Sequence, residues 1–357
     1  MLNLQLFADA GTLVNATGNY VNAYTGDTTA FDGVNTLAGE LKTFYDTELL
    51  ENARVEMFYA QFAKTQALPA NHGTTVEWRK WNTFAKAKQL QEGVIPTGQK
   101  FGMSSKTGTI NQYGTYAAIT DKLELRAYDD VILGATEEMG ASAAETQETL
   151  IRDALLVNTN VLYCDNITLA TGASTGTPTT PAGMEATTEV MSLLTPDMVA
   201  KAVTKMKKDR VPTIGGKYYA VIHPSVAYDL RKSKEWIEAH KYAATSEIFN
   251  GEIGELHGCR FIENTFAPIL GGTDYKNKAS GVTYATYFFG KDAFGIIDPE
   301  GGALQMIIKS KEQAGGPLNQ FSTVGYKFET NGATILYTER VLRVMSCSSY
   351  SAIDKAN

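Results

Sequence analysis

Between Asp130 and Ala170 runs the longest helical pattern of the chain. Apolar side chains recur at Ile132, Ala135, Met139, Ala143, Leu150, Ala154, Leu155, Val161 and Leu162; no proline intervenes, and only Gly134 and Gly140 interrupt. Such spacing gathers the apolar groups on one helical face. Asp129 or Asp130 is placed to cap the start, and Gly172 to end it. Some forty helical residues would make a beam about 60 Å long at about 1.5 Å per residue.

The flanking sequence has other periods. The first 45 or so residues, rich in Gly, Asn, Thr, Ala and Tyr, read as an extended arm, and helical spacing follows from residue 36 to about 66. Residues 74–84 then alternate, with Val76, Trp78 and Lys80 against Glu77, Arg79 and Trp81. A second strand-like run covers 106–120. The polar, glycine-containing stretch between them predicts a long two-stranded arm with a polar tip, which must lie against something else because isolated hairpins are marginal in water.

After the beam, TGASTGTPTTPAGMEATTE reads as loop. Thr195-Pro196-Asp197 opens a helix that ends in the basic run Lys205 to Arg210, cations suited to a helix C-terminus. Residues 217–223 predict a buried strand stopped by Pro224, followed by a helix from 225 to about 242. Residues 283–290 and 303–309 are strand-like. The alternation around Val324, Tyr326 and Phe328, the Asn331-Gly332 turn and the alternation of 334–345 predict a terminal hairpin. There is no internal repeat.

Polar chemistry is densest in GEIGELHGCRFIENTFAP, residues 251–268, but His257 and Cys259 supply at most two metal ligands, where structural zinc needs four and catalytic zinc three. His72, His223, His240 and His257 form no His-x-x-x-His pair, and the sequence holds neither a Gly-x-Ser-x-Gly elbow nor a Walker-type loop. Asp298 to Gly302 is turn chemistry, and Glu235 and Glu238 lie on the polar side of a helix. No catalytic, cofactor-binding or metal-binding residues are expected. Cys164, Cys259 and Cys347 are too few and too scattered for a disulfide framework, which argues for a reducing compartment. No apolar run reaches the roughly 18 residues of a membrane helix, and MLNLQLFADAG lacks the basic start of a secretory signal. The net charge of −7 argues against sequence-specific DNA binding.

An arm, a projecting hairpin and a beam expose more surface than one subunit covers, so identical partners are expected. This order of elements resembles the major capsid proteins of tailed double-stranded DNA phages with the Hong Kong 97 fold. The opening Leu4 to Ala8, the segment Val221 to Ser225, residues 251–268 and VGYKFETNGATILYTERVLRVMS (324–346) resemble its N-four-like branch.

The resemblance implies an α+β fold with five parts. Residues 1–67 would form an N-terminal arm with short helices, and 68–123 an extended hairpin loop reaching across a neighbour. Residues 124–193 would form a peripheral domain with the spine helix, 194–298 an axial domain, and 299–357 the closing strands of the peripheral domain. In 251–268, the resemblance implies a turn at His257-Gly258 and a strand with Cys259 and Phe261 on one side and Arg260 on the other.

It implies hexamers and pentamers of a head shell in the virion, formed in host cytoplasm around double-stranded DNA without sequence-specific binding, no cofactor and no membrane. A separate scaffolding protein and a portal are expected, since few residues precede the hairpin. Some relatives cross-link a loop lysine to an asparagine; Lys86, Lys88, Lys100 and Asn331 match by residue type only, and no motif selects them. The alternatives are an encapsulin-like compartment shell and a metal-dependent hydrolase.

Overall fold

A computed structural model of the chain describes residues 58–357 except 88, 91, 94, 96, 128–129, 186, 188, 241–251, 272–281, 315–317 and 351–353. The expected N-terminal arm and the helical spacing of residues 36–57 lie outside the described residues. Where the description begins, the expected helix is replaced by a single 3-10 turn, Tyr59–Phe62, running into the strand β1 (Lys64–Leu68).

The strands β2 (Thr75–Trp81) and β3 (Met103–Thr109) form a two-stranded ladder, with Trp78 opposite Lys106. Only Ile110 separates β3 from β4 (Asn111–Thr120). The run expected as one strand over 106–120 is therefore two strands in two different sheets. Then come α1 (Asp121–Arg126) and α2 (Val131–Leu155). The Asp130 carboxylate accepts from the backbone N–H groups of Ile132 and Leu133, both at 3.1 Å, and starts α2 as a cap should.

At 25 residues α2 is about 37 Å long, not 60. It stops because Asn158, buried, turns its amide onto the carbonyls of Thr338 and Val341, while the Arg343 guanidinium takes the helix-end carbonyl of Leu156 at 2.6 Å. These partners lie some 180 residues away, beyond the reach of periodicity.

Short strands follow: β5 (Val161–Tyr163), β6 (Asn166–Thr168), β7 (Ser174–Gly176) and β8 (Val190–Ser192). The last three form a sheet of order β7-β6-β8, so the stretch read as loop carries strands. Helix α3 (Pro196–Lys208) begins with the Thr195 hydroxyl accepting from Met198 N–H and ends in its lysines. Strand β9 (Tyr218–Ile222) leads to α4 (Pro224–Lys232), capped by His223, and α5 (Lys234–His240), with a break at Ser233 in place of the single expected helix. The chain closes with β10 (Glu252–Leu256), β11 (Cys259–Glu263), β12 (Ile269–Gly271), β13 (Val282–Phe289), β14 (Phe294–Pro299), β15 (Gln305–Lys309), β16 (Phe321–Thr330), β17 (Thr334–Ile335) and β18 (Val341–Ser346).

The main core surrounds a seven-stranded mixed sheet of order β10-β11-β9-β13-β18-β5, with β12 also on β13. Every residue of β13 is buried, as a central strand covered on both faces requires. Tyr284 and Phe288 face α3 and α4, packing in one core with Met198, Val203, Val226 and Leu230. Tyr287 and Phe289 face the other way, toward Ile151 and Leu155 at the end of α2 and Tyr59 and Phe62. A second layer, the sheet β15-β16-β4, packs Tyr113, Tyr326 and Phe328 beneath Met139, Ala143 and Leu150 of α2. One helix thus braces both layers.

The predicted terminal hairpin does not form. β16 pairs with β15 and β4, whereas β18 lies between β13 and β5 in the seven-stranded sheet. The Asn331 amide diverts the chain, accepting from Ile297 N–H at 2.9 Å and donating to Gly295 and Thr334.

Glu148 of α2, fully buried, accepts from the backbone N–H groups of Phe58 (3.0 Å) and Tyr59 (3.3 Å) and from the Asn264 amide (2.9 Å). Burial outweighs these donors and nearby Arg152 and raises its pKa above the ordinary 4.5. A carboxyl so shifted stabilises the fold fully below pH 4.5 and loses that contribution as pH rises through the folded-state pKa. Glu148→Gln keeps an acceptor and cannot ionise. Melting of both proteins between about pH 4 and 8 should show the variant gaining on the wild type as pH rises; a pH-independent difference would contradict this.

Candidate functional site: subunit-contact surfaces

The residues with catalytic or ligating chemistry are structural in their placement. Leu256 pairs with Cys259 across a two-residue turn in which His257 (φ 53°) and Gly258 (φ 79°) are both left-handed, as a tight hairpin turn demands. Cys259 and Phe261 point into the main core, and burial pushes the Cys259 thiol well up, away from its reactive thiolate form. His257 stays outside, exposed, so the pair that looked like ligands lies on opposite sides of the strand end. Among the described residues, no group of three or more His, Cys, Asp or Glu side chains is placed to hold a metal ion, and no helix is long and apolar enough to cross a membrane.

One trio escaped the motif search because its third member is distant in sequence. His223, Ser225 and Asp354 meet, but the Ser225 hydroxyl donates to Asp354 (2.7 Å), as does Tyr284 (2.6 Å), and the His223 ring nitrogen Nδ1 accepts from the Ser225 backbone N–H (3.2 Å). With Nδ1 taken by the backbone and the hydroxyl by the carboxylate, the serine has no base. The trio clasps residue 354 to α4 and β13.

The cross-link candidates also separate. Lys86 and Lys100 are exposed on the arm, the Asn331 amide is engaged as a brace, and Lys88 lies outside the described residues. In the basic run, Lys207 and Lys208 are exposed at the end of α3, while Met206 between them and α4 is core.

What stands out is the arm. Its root is fixed where the Trp78 indole lies flat on Gly295, at which any Cβ would come within 2.8 Å of the ring. Beyond the ladder, Asn82 N–H reaches the Gly102 carbonyl (2.9 Å), and the Gln99 amide brackets both backbone groups of Ala85. Trp81 stacks on Phe101 at 4.2 Å and Phe84 on Phe101 at 5.2 Å, yet the three rings remain 60%, 58% and 56% exposed for Trp81, Phe84 and Phe101. Ile95 is 94% exposed. The sequence reading took this tip as polar; the signal was present in Trp81, Phe84 and Phe101, separated by residues that only the ladder brings together. Tyr116, 73% exposed, adds a further aromatic on the outer face of β4, away from α2. Apolar groups held in order and left in water mark contact surfaces.

A sequence profile of the family described as phage capsid protein matches residues 104–330, well over half of the chain. The chain belongs to this family of phage capsid proteins. It is a structural protein of the phage head shell, and its mixed α+β fold is that of phage capsid structures. The cyanophage Pam1 capsid asymmetric unit aligns with TM-score 0.67 and 12% identity over 88% of this chain and 98% of that one. The capsid of Helicobacter pylori bacteriophage KHP30 gives 0.64 and 11% over 87% and 96%. The capsid of cyanophage P-SCSP1u gives 0.61 and 16% over 89% and 96%. No curated protein matches the capsid protein's sequence.

Proposed function

We propose that the chain is the major capsid protein of a tailed double-stranded DNA phage, self-assembling as hexamers and pentamers into the icosahedral head shell. The observation that carries this reading is the ordered, aromatic-tipped arm that one subunit leaves in water. In the Hong Kong 97 arrangement, the seven-stranded sheet with α3 to α5 would be the axial domain, and the sheet β15-β16-β4 with α2 the peripheral one. Residues 68–123 would reach over a neighbour. Residues 1–67, 124–193, 194–298 and 299–357 keep the expected roles, with β18 assigned to the axial sheet.

The protein has no enzymatic role in this reading; a scaffolding protein and a portal complete the head, which forms in host cytoplasm. Sedimentation and negative-stain microscopy of the purified protein test it. Rings or closed shells are expected, and a monomer at every concentration would contradict it. DNA is enclosed without being gripped, so duplex affinity at physiological salt should be weaker than about 10⁻⁶ M. Nanomolar binding that collapses with salt would reveal a nucleic-acid interface instead.

A further inference from the structure

At the root of the arm lies a polar cleft of about 500 Å³ lined by five cations and three carboxylates. Arg79 is paired with Glu77 at 3.2 Å. The other four, Lys64, Lys80, Lys106 and Arg340, form no ion pair among the described residues. Lys80 and Lys106 share one face of the ladder, because Lys106 is opposite Trp78 and Lys80 lies two residues on. Two of the cations are held in place by one ring: Lys80 Nζ sits 4.6 Å and the Arg340 guanidinium 3.7 Å from the centre of Tyr337. Holding like charges together without counter-charge costs energy unless an anion arrives.

We infer that this cleft receives the acidic face of α2 from a second copy of the chain, an inference that rests on the shell reading above. The face opposite the α2–sheet contact carries Asp130, Glu137, Glu138 and Glu145, all exposed, and the helix's single cation, Arg152, is buried. The other described helices carry basic side chains on their surfaces: α1 has Lys122 and Arg126, α3 Lys201 and Lys205 to Lys208, α4 Arg231 and Lys232, and α5 Lys234. Only α2 combines several exposed carboxylates with no exposed cation. Glu138 and Glu145 are two turns apart, about 10 Å, and the ladder sets Lys106 and Lys80 about 7 Å apart, a difference that long lysine side chains absorb. No carboxylate of α2 lines the cleft of its own subunit, so the contact repeats from copy to copy, as a ring requires.

Charge reversal tests the pairing. Lys80→Glu with Lys106→Glu, and separately Glu138→Lys with Glu145→Lys, should each cut the yield of assembled particles at least about tenfold at physiological salt. The protein carrying all four changes should recover assembly to within about threefold of wild type. Normal assembly by either pair of reversals would overturn the inference. So would failure of the fourfold variant to recover, provided it melts like wild type. A second measurement needs no variant: carbodiimide treatment of assembled wild-type protein should couple Lys80 or Lys106 to Glu138 or Glu145 of another copy. Assembled particles lacking that amide by mass spectrometry would refute the pairing and leave the shell reading standing. A wild-type protein that never assembles would overturn the shell reading, and this inference with it.

Discussion

Phe289→Ala should destabilise the subunit by about 3–5 kcal/mol, the usual cost of removing a buried aromatic ring. Phe289 is fully buried on β13, and four rings meet it: Phe62 stacked at 5.3 Å, Phe294 at 5.6 Å, Tyr287 at 5.9 Å and Tyr59 edge-on at 6.1 Å. Those neighbours come from four segments, so collapse around an alanine would have to move all of them, and a cavity remains. The melting temperature should fall by roughly 6–20 °C for a domain of this size. A loss below about 1 kcal/mol would mean that this cluster is not the core of the subunit.

The largest effect on assembly should come from side chains that matter little to the fold. Trp81→Ser with Phe101→Ser removes a stacked pair that is more than half exposed. The subunit should lose only about 1 kcal/mol, the scale of an aromatic pair contact. Assembly is another matter, because a contact repeated at every subunit multiplies its loss over the lattice. The variant should be soluble, melt cooperatively within a few degrees of wild type and fail to form shells. Thermal melting and sedimentation, run side by side, read the two effects. Full-sized shells from the variant would remove the arm tip from the lattice contacts; a protein that no longer melts cooperatively would make the tip part of the core.

The sequence was most legible where a structure is made by near neighbours. Thr195-Pro196-Asp197 starts a helix because a hydroxyl, a fixed φ and a carboxylate all act within one turn. His257-Gly258 makes a tight turn because both residues tolerate positive φ. The alternation of β13 and β16 follows from pleat and burial. The end of α2 was not legible, because Asn158 and Arg343 are partners from opposite ends of the chain. Nor was the parallel pairing of β1 with β14, which joins Lys64 to Gly295 across more than two hundred residues. The strand run over 106–120 looked continuous because alternation passes through Ile110, whereas the pairing partner changes from β2 to β16.

The candidate surface was half legible. The element order suggested that an arm projects; that its tip is aromatic depended on cross-strand register, which brings Trp81 opposite Met103 and so beside Phe101. Residues 251–268 looked richest in chemistry and are scaffold, because their polar groups flank a turn and their Cys259 faces the core.

Electron cryomicroscopy of the assembled protein tests most directly whether the surfaces left open on one chain are those closed by its copies. The expected result is particles with icosahedral symmetry in which Trp81, Phe84 and Phe101 of every subunit are covered by a neighbouring copy. Symmetric particles with those rings in open solvent, or a preparation holding only single subunits, would contradict the account.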